Sequence, residues 1–333
     1  MVSYKFLLFG GLLIMLITLA LAGCIESDNH VEKSELESIS VRLPIPTVEA
    51  GQIPFYVAQE KGYYKDEGLD VTFNLGSPDT NPVKMVVVGA DDFGVLGGID
   101  TLLVARAQGK DLKAISVFHK DSNFPVILAL KDSGIETVED LEDKKIGFFY
   151  GHISTDILRA FLHQETINYS EVDVGFDYSQ LISRQIDAEW AFRQTAGITL
   201  PSKGIEVNVI QPADYGITSH GYTLFTKAEF IEKNPEIVEK FLRATLKGLH
   251  YSVQNPEESV DILLKYDPKL DREIEMQRLQ IYNSATSISP YGYMDDGMFE
   301  DTCQRLLDEE VITEQINSAD AFDPYFVDHL NIR

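Results

Sequence analysis

The chain has 333 residues, a formal charge of −25 from 28 basic and 53 acidic side chains, and two cysteines. So acidic a protein is a poor partner for nucleic acid and for anionic lipid surfaces, because it lacks the basic face that both need. Two cysteines give no disulfide framework, so stability has to come from an apolar core, and a chain this long exceeds the usual single core of about 250–300 residues.

Lys5 is followed by an apolar run from Phe6 to Leu21 and then by Ala22-Gly23-Cys24. This is the pattern of a signal peptide whose small residues precede a cysteine to be lipidated, so residues 1–24 are expected to direct export and Cys24 to carry the lipid. An uncleaved membrane anchor is the competing reading, although the run is short of the roughly 20 residues that a bilayer core asks for. Either way the rest of the chain faces outward. Removal of the leader takes away Lys5 and no acid, leaving −26. Residues 25–38 are polar and charged and are expected to form a flexible tether, with the folded body starting near Ile39.

From Ser40 the pattern alternates strand and helix. Ser40–Leu43 reads as a strand stopped by Pro44 and Pro46, and Pro54–Lys61 as a helix with proline in its first turn and Gly62 beyond its end. Leu69–Phe73, Asp92–Val95 and Lys113–Phe118 read as strands, with a helix from Thr101 to Gln108. A second set follows: strand Val126–Leu130, a helix announced at Thr137–Asp140, strand Lys145–Phe149, a helix from about Ser154, and strands Glu171–Val174, Glu189–Phe192 and Glu206–Ile210. Beyond that the text is helical to the end, with Asn234-Pro235 and Asn255-Pro256 opening helices and Ile237, Val238, Phe241, Leu242, Thr245, Leu246 and Leu249 keeping the helical period. The expected architecture is α/β, two lobes each built on a mostly parallel sheet flanked by helices, with a ligand cleft between them. Residues 39–122 and 219–333 form lobe 1 and residues 123–218 lobe 2, so the chain crosses twice and makes a hinge.

Several stretches carry a resemblance. Gln52–Val71 (QIPFYVAQEKGYYKDEGLDV), Asp92–Val95, Leu103–Gly109, Thr137–Gly147, Asp187-Ala188 and Asn234–Thr245 occur in this order behind the leader. Together they resemble the SsuA/THI5-like substrate-binding proteins, the nitrate/sulfonate/taurine and thiamine-pyrimidine group of ABC importers. The resemblance spans roughly Ile39 to Lys265. It implies a lipid-anchored, extracytoplasmic, periplasmic-binding-protein-like (type II) fold that captures a small molecule and delivers it to a permease with paired ATPases. A monomer without cofactor, metal or catalytic residues is expected, and the net charge argues against a nucleic acid partner. A thiamine pyrimidine precursor or related heterocycle is the favoured ligand, with a sulfonate, taurine or nitrate-type anion as the alternative. Yeast-type pyrimidine synthases share the fold, but they carry a cysteine-rich motif, whereas Cys303 alone remains here after the leader.

Open α/β sheets bind ligands at the carboxyl ends of their strands, which directs attention to three loops. Thr47 and Glu49 lie in the first, where the family often contacts ligand, although a plain connection reads the same. Gly97, Gly98 and Asp100 lie in the second, where glycines let backbone N–H groups approach a ligand and Asp100 caps the helix behind. His152, Ser154 and Thr155 lie in the third, where a helix start offers N–H groups and a hydroxyl to an anion, unless Ser154 is an ordinary cap. Trp190 follows a point that the family places at the cleft and is read either as a stacking face or as core. Asp214 and Tyr215 match an Asp-Tyr pair of pyrimidine-binding relatives, with Asp214 reading a ring amino group or capping a turn. His119 and His152 have no second ligand at metal spacing, and no P-loop occurs.

Overall fold

The computed structural model describes residues 36–77, 79–150, 152–286, 290–330 and 332. The leader, Cys24 and most of the expected tether lie outside the described residues. The first strand, β1 (Glu37–Arg42), begins three residues earlier than the sequence suggests.

Two five-stranded sheets organise the chain. The first contains β1, β2 (Leu69–Asn74), β3 (Phe93–Leu96), β4 (Leu112–Val117) and β10 (Thr223–Lys227), in the order β2-β1-β3-β10-β4. The second contains β5 (Pro125–Leu130), β6 (Lys144–Phe148), β7 (Tyr169–Asp173), β8 (Ala188–Phe192) and β9 (Val207–Ile210), in the order β7-β6-β8-β5-β9. Each sheet is mostly parallel, as expected, with four strands running one way and a single strand reversed. β10 runs antiparallel to β3 and β4, and β5 antiparallel to β8 and β9. The reason is topological. Each of these strands is the first one after a crossing, and it enters its sheet reversed. β10 also breaks the expected run of helices to the C-terminus.

The helices that shape the site are α1 (Ile53–Glu60), α2 (Ile99–Ala107), α3 (Ile153–Gln164), α4 (Ala196–Ser202), α5 (Pro235–Gln254), α6 (Pro256–Tyr266), α7 (Arg272–Ala285) and α8 (Asp296–Asp308). The helix expected at Thr137 is reduced to a single 3-10 turn, Glu139–Leu141. Asp140 there accepts hydrogen bonds from the backbone N–H groups of Glu136 and Thr137, a local ring that satisfies the turn and competes with helix propagation.

Side-chain alternation builds the core of the second lobe. Ile127 and Ala129 of β5 join Phe148, Leu158, Phe161 and Trp190 on one face, while Val126, Leu128 and Leu130 join Leu181, Ala191 and Leu200 on the other. In the first lobe the buried stripe of α5 (Val238, Phe241, Leu242, Leu246 and Leu249) packs into one large cluster with α1 and the sheet.

The chain passes between the lobes over residues 118–124 and returns over 211–222. The two crossovers are hydrogen-bonded to each other: Phe118 N–H donates to the Tyr222 carbonyl, Gly221 N–H to that of His119 and Ser122 N–H to that of Ser219, each at 2.8 Å. A Cβ on Gly221 would stand 2.6 Å from the Phe124 ring, so this close approach needs glycine.

Candidate functional site

A cavity of about 850 Å³ opens between the lobes and the paired crossovers, a size usual for small-molecule sites. The end of β3 and the start of α2 form its first wall, the loop after β6 and the start of α3 its second, and the crossovers with α7 its floor.

The floor is aromatic and holds one buried carboxyl. Tyr222 Oη donates to Glu49 Oε1 at 2.5 Å, Tyr282 Oη approaches Oε1 at 3.0 Å and Oε2 at 3.2 Å, and Gly51 N–H donates to Oε1 at 3.2 Å. Burial raises the pKa of Glu49, against the pull of these donors and of the nearby Arg278 charge. Gln194, two residues beyond β8, is 6 % exposed; its amide stands against the Tyr282 hydroxyl, and its Oε1 has no partner. Behind the floor, His119 is fully buried and burial lowers its pKa to about 3, so it is neutral there.

The first wall departs from the expectation in one respect. Gly97 is exposed to the cavity with open space around it, but a Cβ on Gly98 would lie 2.7 Å from the His220 carbonyl oxygen. The approach of the return crossover therefore requires glycine at position 98. Asp100 lines the cavity and pairs with Arg305 of α8 at 2.5 Å, and Arg305 also donates to the Thr218 carbonyl at 3.0 Å. These contacts tie the first lobe to the crossover.

The second wall begins at His152, which caps α3 by accepting from Ser154 N–H at 3.3 Å. Trp190 Nε1–H donates to Ser154 Oγ at 2.9 Å, and that hydroxyl lies 2.7 Å from His152 Nδ1. If the hydroxyl accepts from Trp190 it gives its own proton to Nδ1, so the assigned tautomer carries its hydrogen on Nε2. The donors expected for an anion at this helix start are thereby engaged within the protein. Arg159, the cation lining the cavity among the described residues, is bidentate with Glu171 at 2.9 and 2.7 Å and bonded to Asp156 at 3.0 Å.

Of the residues singled out from sequence, the structure brings Glu49, Gly97, Gly98, Asp100, His152 and Ser154 to one cavity. It does not bring Thr47, Thr155, Trp190, Asp214 or Tyr215 there. Thr47 is exposed on its loop, and its carbonyl accepts from the Gln52 amide. The hydroxyl of Thr155 turns back to the Phe149 carbonyl at 2.9 Å. Trp190 is fully buried in the second lobe, ringed by Phe149, His152, Phe176 and Phe192, so no ligand reaches its face. Asp214 is exposed, and the Tyr215 ring packs on Phe161 while its hydroxyl accepts from Val138 N–H. Sequence reasoning missed Phe124, Gln194, His220, Tyr222 and Tyr282. Only His220-Gly221-Tyr222, an unusual text for a crossover, carried a local signal. Among the described residues no group of three or more His, Cys, Asp or Glu side chains is placed to hold a metal ion.

Residues 50–259 match the family model described as NMT1/THI5 like. The chain belongs to the NMT1/THI5-like family. Two curated relatives of this family member match most of its length. The formylaminopyrimidine-binding protein of Halalkalibacterium halodurans is 26% identical over 93% of this chain and 96% of its own. The riboflavin-binding protein RibY of Chloroflexus aurantiacus is 27% identical over 82% of each. The 4-amino-5-hydroxymethyl-2-methylpyrimidine phosphate synthase of Legionella pneumophila is 28% identical over 65% of this chain and 70% of its own. Among solved structures, the periplasmic aliphatic sulphonate-binding protein SsuA of Escherichia coli superposes with a TM-score of 0.70 at 18% identity, covering 85% of this chain and 96% of that one. The fold is thus the two-lobed type II fold of periplasmic binding proteins.

Proposed function

We propose that this chain is the lipid-anchored, extracytoplasmic substrate-binding component of an ABC-type importer, and that its ligand is a flat nitrogen heterocycle of the pyrimidine class. In this reading Cys24 carries the lipid, residues 39–122 with 219–333 and residues 123–218 close over the ligand, and a membrane permease with its ATPases receives it. The observation that carries the ligand class is the lining of the cavity. Arg159, the cation among its described lining residues, is already neutralised by Glu171 and Asp156, while Phe124, Phe149, Phe192, Tyr222 and Tyr282 all line the space.

A sulfonate or nitrate entering here would lose water and meet Glu49, Asp100 and Asp156 with no unengaged cation among the described lining residues, which is the costly arrangement. An aromatic heterocycle instead gains contacts with these lining rings. Burial lowers the pKa of His152 and of His220, so neither supplies positive charge at neutral pH. The two binding-protein relatives, which match over most of the chain, are named for a pyrimidine and for riboflavin, and they support the same class and a non-enzymatic role.

The test is a thermal-shift screen of the full-length chain in detergent, followed by calorimetry, against aminopyrimidines, flavins, alkanesulfonates, taurine and nitrate. A ligand at 100 times its Kd stabilises by about 2.7 kcal/mol, so the expected result is a rise of several degrees with an aminopyrimidine and recovery of that ligand unaltered by mass spectrometry. A rise with sulfonate alone would overturn the ligand class, and conversion of the pyrimidine would overturn the non-enzymatic role.

A further inference from the structure

Gln194 and Glu49 come from opposite lobes, and both are more than nine-tenths buried at the cavity floor. Tyr282 joins them. Its hydroxyl gives its proton to Glu49, so the half of the Gln194 amide that can face the Tyr282 oxygen is the –NH₂ group. That choice leaves Gln194 Oε1 as a buried acceptor without a partner. On the other side of Tyr282, Glu49 Oε1 is saturated by three donors, whereas Oε2 has only the long 3.2 Å contact with the same hydroxyl. Two under-used acceptor oxygens, one from each lobe, therefore flank one tyrosine at the floor of a cavity whose lining includes the rings of Phe124, Phe149 and Phe192.

We propose that Glu49 and Gln194, coupled through Tyr282, form an acceptor pair that reads a ligand edge carrying N–H donors, as on an amino-substituted nitrogen ring, and that rejects the corresponding oxo ring. The inference rests on the pyrimidine reading above and narrows it to one edge of the ring. An amino group satisfies an acceptor that is otherwise buried and unpaired. A carbonyl placed there would set acceptor against acceptor, and sites built to bond a polar group discriminate strongly against analogues that lack it. Because the two acceptors belong to different lobes, the ligand edge also links the lobes directly, which only a closed arrangement allows.

The experiment is calorimetry on the full-length chain in detergent with 4-amino-5-hydroxymethyl-2-methylpyrimidine and its 4-oxo counterpart, in the wild type and in Gln194→Met and Gln194→Glu. The wild type is expected to bind the amino ring at least tenfold more tightly. Gln194→Met, which keeps volume and removes the acceptor, should cut that preference severalfold toward unity, and Gln194→Glu, which keeps an acceptor, should retain it. Equal binding of both rings by the wild type, or an undiminished preference in Gln194→Met, would overturn the acceptor pair while leaving the pyrimidine class standing. Binding of neither ring would overturn the pyrimidine reading and this inference with it.

Discussion

Glu189 shows how one buried side chain ties stability to pH. It lies on β8 beside Trp190, but alternation sends it to the opposite face of the sheet, among Leu181 and Ala191, where its Oε2 has no partner. Burial, reinforced by the charge of Asp177, raises its pKa to about 7, and only the Leu181 backbone opposes the shift. Between the ordinary carboxylate range and pH 7 the folded state therefore keeps a proton that the unfolded state gives up. The associated stability is full below that range and is lost as pH rises through 7. Glu189→Gln keeps the shape without the charge. It should match the wild type in urea unfolding at pH 4.5 and exceed it at pH 8 by about 1–2 kcal/mol; the same difference at both pH values would show that Glu189 is not the titrating group. At this scale the sequence displayed Glu49 and Trp190 but not what each touches. Trp190 was legible as an isolated aromatic at a suggestive place, yet the parity of its position on the strand sends it into the lobe, where it backs the cavity-lining Ser154, Phe149, His152 and Phe192.

At the scale of elements, periodicity was a reliable guide. The stripe along α5 matched the helical period read from Ile237 to Leu249, and its buried members pack into one cluster with α1 and the first sheet. Phe241 is their centre, stacked on Phe93 with ring centroids 4.2 Å apart and on Tyr64 at 5.6 Å. Phe241→Ala should cost about 3–5 kcal/mol, the usual cost of emptying a buried aromatic site, and chemical denaturation at constant m would record it; a loss below 1 kcal/mol would mean that the site collapses around the gap. Where local hydrogen bonding competed with periodicity, the reading failed. The Thr137–Asp140 segment has the letters of a helix start, but Asp140 closes a turn on them and Asp143, with φ of 59°, stops continuation. β10 escaped notice because five residues between a crossover and a long helix hold too short an alternation to stand out.

At the scale of the whole molecule, the paired crossovers decide what the two lobes can do together. Gly221 lets the return strand pass within hydrogen-bonding distance of His119 and Phe124, and Tyr222 carries the next side chain to Glu49. Gly221→Ala should push the crossovers apart and destabilise the fold by about 1–3 kcal/mol. It should also weaken ligand binding, because Phe124 and Tyr222 both line the cavity; calorimetry and urea unfolding of the same variant check the two effects, and unchanged affinity would separate the hinge from the site. Sequence alone determined the α/β alternation, the family resemblance and the acidic net charge, since periodicity, turn residues and residue counts are local or additive properties. Tertiary structure decided the reversed strands, the burial of Trp190 and the assembly of Glu49, Gln194, Tyr222 and Tyr282. Those four residues are separated by up to 233 positions, and only the packing of two lobes against paired crossovers brings their polar atoms within reach of one ligand.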